Sequence, residues 1–198
     1  MCRTFEESLF TGIATTLTAL IFISYNKPAY TWIGAFIFTI GLTQYIDAYV
    51  WYNSLEKSQD VIRYGIPVVL ALEPIVTYCG LVYTLGFRFP LLYEILMGIF
   101  SFYIVFSWWF IHCKKGTTIS DDGFLVWCDD KPHIISRIIL YLFITIPFFW
   151  YPDLFIRILA IMIITLTFIY SFRKKAFGAN WCHYANVFSI VTLLKLLF

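Results

Sequence analysis

The sequence predicts an all-α membrane protein, a single domain of seven transmembrane helices with its N-terminus in the cytosol and its C-terminus outside. Three observations carry this reading. Of the 198 residues, 61% are hydrophobic and only 13% charged, where a soluble domain runs near 45–50% apolar and about 25% charged. The apolar residues fall in unbroken runs of roughly 20, the length that crosses a hydrocarbon core of about 30 Å. The basic residues crowd one alternate set of connections. Lipid offers backbone groups no hydrogen bonds, which leaves helices or a closed barrel. A barrel would alternate apolar and polar residues, and these runs do not.

The spans read 8–25, 30–53, 61–86, 90–113, 134–151, 153–172 and 178–198. Asn26-Lys27-Pro28 closes the first, and Asn53 through Asp60 separates the second from the third. Gly86-Phe87-Arg88-Phe89-Pro90 turns the chain into the fourth. The segment 114–133, with its Asp121-Asp122-Gly123 and Asp129-Asp130-Lys131-Pro132 turn signals, is the one long loop and is placed in the cytosol. Tyr151-Pro152-Asp153 joins the fifth span to the sixth. Apolar character lapses least there, and without that turn the count would be six. Arg173-Lys174-Lys175 ends the sixth span, and the seventh opens at Gly178.

Orientation follows the distribution of Lys and Arg. Arg3, Lys57, Arg63, Lys114, Lys115, Lys131, Arg137, Arg173, Lys174 and Lys175 fall on one side, against Lys27, Arg88, Arg157 and Lys195 on the other. The richer side is the cytosol. Trp51, Trp108, Trp109 and Trp181 then mark the inner interface, and Trp32 and Trp150 the outer one. The acidic start Met-Cys-Arg-Thr-Phe-Glu-Glu lacks a cleavable leader pattern, so the first helix is expected to stay as an anchor. Seven Trp, 14 Tyr and 21 Phe exceed what a soluble core of this size would hold. A net charge of +2 excludes a polyanion binder, and with it nucleic acid as a partner.

Ionisable side chains at bilayer depth cost roughly 2.5–3.5 kcal/mol at the centre, so they carry the functional reading. Glu73 lies near the middle of the third span and precedes Pro74. It shares a helical face with Thr77, Gly80 and Thr84. It is either a proton-carrying group or a protonated carboxyl bonded to a neighbouring helix. Gln44, Asp47 and Trp51 occupy an arc of roughly 60° on the second span. Asp47 either pairs with Arg63 or Arg137 or serves a site. Asn180, His183 and Asn186 succeed one another at one-turn spacing on the last span. With Glu6, these residues fall in the cytosolic half, which predicts a polar cavity opening inward.

Cys2, His112, Cys113, Cys128, His133, Cys182 and His183 gather on the same side, and Cys79 lies within the third span. Their spacings match no zinc template, so neither metal nor cofactor is expected, and the cysteines read as free thiols. Retinal is excluded because Lys195, the only lysine of the last helix, stands three residues from the end. Seven-span zinc hydrolases need more histidines than the three present.

Met-Cys-Arg-Thr-Phe-Glu-Glu-Ser-Leu at the start, Gln44-Tyr45-Ile46-Asp47-Ala48-Tyr49-Val50-Trp51 in the second span and Trp181-Cys182-His183-Tyr184-Ala185-Asn186 in the last resemble motifs of a family of uncharacterised multi-pass membrane proteins of giant DNA viruses and protists. Asp47 stands where that family often has Glu, and His183 where it often has Trp. The resemblance spans nearly the whole chain and implies a multi-pass fold in a host or virion membrane. It implies no activity.

The function expected is a small transporter or channel-like protein, with no enzymatic activity, lined by Glu6, Gln44, Asp47, Trp51, Glu73, Asn180, His183 and Asn186. A non-catalytic membrane-organising or receptor-like protein is the alternative, and an intramembrane enzyme using the Cys/His cluster a third. The partners expected are the lipid bilayer and a small solute or ion, with homo-oligomers also open to it. In intact cells an epitope at the N-terminus should resist external protease while one at the C-terminus is digested. The opposite pattern would overturn the orientation.

Overall fold

The computed structural model describes residues 4–112, 117–119, 123, 125–127, 134–174 and 177–198, and their side chains except those of 111–112, 134, 170–174 and 177–185. Among them are seven α-helices: α1 (Phe5–Ser24), α2 (Pro28–Asn53), α3 (Leu55–Leu85), α4 (Leu91–Ser107), α5 (Ile134–Phe148), α6 (Leu154–Lys174) and α7 (Phe177–Leu197). A π-helical turn, Trp108–His112, extends α4, and two short antiparallel strands, β1 (Thr118–Ile119) and β2 (Leu125–Val126), lie between it and α5. Four helical stretches, Phe5–Ser24, Pro28–Asn53, Leu55–Leu85 and Leu91–Phe110, are long and apolar enough to cross a membrane. Ile135–Phe148, Leu154–Ile169 and Asn186–Leu197 are shorter apolar stretches.

Local chemistry explains the boundaries. Thr4 caps α1 by accepting the Glu7 N–H at 3.2 Å, and Glu6 and Glu7 face the positive end of the helix dipole. Pro28 starts α2 where a missing N–H costs nothing. The expected break over 53–60 contracts to one residue. Ser54 takes a left-handed φ of 73°, and α3 begins at once. Leu55, Glu56, Lys57 and Gln59 are polar overall but good helix formers, so low hydropathy there does not mean loop. Gly86, at φ 63°, ends α3. Between α5 and α6, the N–H groups of Phe149, Trp150 and Tyr151 donate three residues back, to Ile146, Pro147 and Phe148. The Asp153 carboxylate caps α6 by accepting the Ile156 N–H at 3.0 Å. The weak apolar lapse at 151–153 is therefore a turn.

Helices α2, α3, α5, α6 and α7 close a ring in which each packs on the next; α1 lies against α2 and α7, and α4 against α3. Gly34 lets α2 approach α1 so closely that a Cβ there would stand 2.8 Å from the Ala19 carbonyl oxygen. Small residues at such crossings let backbones touch where lipid supplies no hydrophobic drive. At the end carrying the α1–α2 and α5–α6 turns, the buried Trp32 ring stacks on Phe148 at 5.5 Å and meets Tyr151 at 5.0 Å. Tyr151 donates its hydroxyl to the Ala29 carbonyl at 2.9 Å. Phe89 bridges to Tyr93 and Trp150 nearby, tying the α3–α4 turn to the α5–α6 turn.

Gly80 is the keystone of this end. A Cβ on it would lie 2.0 Å from Trp32 Cδ1, and the indole is held on its other faces by Phe148 and Tyr151. Gly80→Ala is expected to destabilise the protein by about 1–3 kcal/mol through overpacking. Gly98→Ala, which meets nothing within 4 Å on α4, should hold or raise stability. Thermal unfolding in detergent distinguishes the two.

Candidate functional site

The buried polar groups fall into separate levels along the bundle. Gln44 and Asp47, on the inner face of α2, are 1% and 2% exposed. Gln44 Oε1 accepts from Thr11 Oγ1 of α1 at 3.0 Å, and Tyr45 shares a hydrogen bond with Thr16 at 2.8 Å. Asp47 Oδ1 accepts the indole N–H of Trp127 at 2.9 Å. Trp127 directly follows β2, so a residue of the loop reaches back to a helix eighty positions earlier. Hydrogen bonds to a charged acceptor are shorter and about twice as strong as neutral ones.

That loop is secured elsewhere too. Gln59, early in α3, accepts the Thr117 N–H through Oε1 at 2.8 Å and donates its Nε2 to the Thr117 carbonyl at 3.4 Å. Its amide thus mimics a strand partner. Leu125 is 2% exposed and joins the core with Trp127. Residues 117–119 and 125–127 form a strap across this end of the bundle.

The strap crosses the level at which a polar cavity was expected. Trp127 fills the position facing Asp47. Arg63, an expected partner for Asp47, instead donates through both its Nε and a terminal nitrogen to the Trp109 carbonyl, in the π turn. A π turn replaces the usual i−4 pairing, and Arg63 serves the carbonyl there. Glu6 is exposed. The inner face of α1 runs through Ser8, Gly12, Thr15 and Ala19, and Glu6 points about 200° from Ser8. Trp51 is half-buried, and its buried indole N–H has no hydrogen-bond partner among the described residues. Asn186 is half-buried on α7. Asn180 and His183 lie on the α7 backbone, with side chains outside the described residues.

Glu73 occupies a second level. It is fully buried, beside the equally buried Thr77, whose hydroxyl donates to the Glu73 carbonyl at 2.6 Å. Contacts of Gly65 with Ile46 and of Gly80 with Trp32 set the antiparallel register of α2 and α3. Glu73 then falls level with Thr39, about 12 Å along the axis from Asp47 at 1.5 Å per residue. The two carboxyls are not one site. A third level, absent from the sequence reading of the site, joins Tyr78 and Glu94 by a short hydrogen bond within the aromatic cluster around Phe89. Arg137 lines a narrow crevice between α5 and α6 with Leu140, Tyr141, Ile144, Ile164 and Thr167.

Among the described residues, no group of three or more His, Cys, Asp or Glu could hold a metal. Cys79 is exposed on α3. Cys2, Cys113, Cys128 and His133 lie outside the described residues, as do the side chains of His112 and Cys182. The chain matches no family model, no curated protein and no solved structure.

Trp127 escaped the sequence reading because it belongs to neither interfacial belt. Its signal was the apolar triplet Leu125-Val126-Trp127 between acidic turns. Trp127→Phe keeps an aromatic side chain there but removes the indole N–H that donates to Asp47. It should cost about 1.5–3 kcal/mol, the range for a hydrogen bond to a charged group, read by thermal unfolding in detergent. A loss under about 0.5 kcal/mol would show that the bond contributes little.

Proposed function

We propose that the chain is a seven-span membrane protein, N-terminus in the cytosol and C-terminus outside, that acts as a small transporter or channel-like protein. Its polar stations are Asp47 and Glu73. The four long apolar helices support the membrane placement. At 21 residues each, α6 and α7 reach about 31 Å, enough to span. The α5 helix, 15 residues long, covers about 22 Å and spans together with the turn at its C-terminal end. Large apolar side chains on α4 point outward, with Ile99 61% and Phe102 70% exposed. A water-facing surface of that kind would be a liability, and lipid explains it.

The observation that carries the transport reading is Glu73. Ionisable groups buried midway along a spanning helix are rare and mark ion and proton pathways, and Glu73 is fully buried at that position of α3. Pro74 beside it, and Pro67 two turns earlier, remove helix hydrogen bonds and give α3 bending points around the carboxyl. Such a group can take up and release a proton or a cation as the helix bends.

A second reading, a membrane-organising or receptor-like protein, draws support from the strap, where Ile119 is exposed on β1 and available to a partner. Proteoliposomes distinguish the two. Proton entry read with trapped pyranine, and potassium flux, should each be measured for wild type, Glu73→Gln and Asp47→Asn. Transport predicts a wild-type flux reduced at least tenfold by Glu73→Gln. Flux unchanged in both variants would sink it. No wild-type flux, together with a stable complex lost on Ile119→Asp, would favour the second reading.

A further inference from the structure

We infer that the crevice between α5 and α6 binds a small monovalent anion of about the size of chloride, with Arg137 as its counter-charge. That this anion is also the transported species rests on the transport reading above. Helical phase puts Arg137 on the bundle side of α5. Leu140, Ile144 and Phe148 lie within about 60° of it around the helix, and all three are buried. Ile138 and Leu142, turned away from it by about 100° or more, are exposed. An arginine near a helix end can run its stem along the outer surface and keep its head in water. Arg137 instead is half-buried on the packed face and lines the crevice.

The facing wall comes from α6, through the buried Ile164 and Thr167 and the half-buried Phe168. Among the described lining residues, Arg137 carries the one charge. The Tyr141 hydroxyl shares a hydrogen bond with Thr165 at 2.9 Å, and Thr167 donates to the Ile163 carbonyl at 2.8 Å. Apolar walls lower the local dielectric, so the attraction of a guanidinium for an anion is stronger there than in water, and its repulsion of a cation likewise. A guanidinium has five N–H donors, so it can keep a protein partner and still offer donors to an anion. Size narrows the class further. The space open to the centre of a water-sized particle is about 10 Å³, enough for one water molecule or an ion of similar size. A bulky organic anion would have to displace Ile144 or Ile164.

The first test reads binding by full-length protein in detergent, as the excess NMR line width of chloride. Wild type should broaden the line, and bromide should remove the excess while gluconate, of equal charge but larger, should not. Arg137→Gln should lower the excess at least fivefold, and Arg137→Lys, which keeps the charge, should restore part of it. No excess in wild type overturns the site, whether or not either variant folds. An unchanged excess in folded Arg137→Gln also overturns it, and displacement by gluconate as readily as by bromide overturns the selection by size. The second test follows chloride entry into proteoliposomes with a trapped chloride-quenched dye, with potassium and valinomycin to balance charge. Arg137→Gln should slow entry at least tenfold. Proton or potassium flux without chloride flux overturns the anion as the transported species and leaves the transport reading standing. Absence of every flux, with line broadening that depends on Arg137, fails the transport reading and supports the site.

Discussion

A carboxylate taken out of water must be met by donors, and Asp47 is met from a distant part of the chain. Its bond to Trp127 joins the second helix to a loop that no regular secondary structure would hold there. Nearby, Leu125 lies in the core and the Thr117 N–H meets Gln59. Polar and apolar contacts together hold Thr117, Leu125 and Trp127 against the bundle, within a connection whose composition, rich in Asp and Gly, reads as solvent-exposed. Desolvating the carboxylate is costly, and that cost makes its partner specific.

The opposite end is built on shape. Trp32, Phe148 and Tyr151 leave no room beside Gly80, and Tyr151 returns to the α2 backbone through Ala29. Between helices in lipid, burying apolar surface contributes little, because the tails outside are equally apolar. Close contact and aromatic stacking must supply the difference. The bundle is thus polar-locked at one end and sterically locked at the other, with Glu73 between them. The carboxyl stands about 12 Å along the axis from Asp47 and about two turns from Gly80, with Pro74 beside it.

Helical periods and breakers were legible in the chain because they are local. Pro28, Gly86 and Asp153 act on their own neighbours, and the helices start or stop where they stand. The single-residue break at Ser54 was not legible, since a serine at positive φ has no compositional signature and the residues after it are polar helix formers. For the candidate site, depth was legible and pairing was not. Glu73, Asp47 and Gln44 are buried as their positions implied, and Gly80 makes the close approach that its shared face with Glu73 suggested. Glu6 is exposed while Ser8 is buried, a difference of helical phase that depth along the span does not give. Arg63, an expected partner of Asp47, donates instead to the Trp109 carbonyl, and Trp127, for which the sequence suggested no role, donates to Asp47, because a carbonyl can compete with a carboxylate for a cation.

The π turn at Trp108–His112 shifts the helical phase at the end of α4. A π turn holds one residue more than the α-helical turn it replaces, so it changes the direction in which the chain leaves a helix. Arg63 of α3 donates to the Trp109 carbonyl inside it, so the widened turn is also a point where the two helices are joined. Losing one residue between 108 and 112 would rotate the rest of the turn by about 100° relative to α4. Substitutions within the turn that keep its length leave this phase intact.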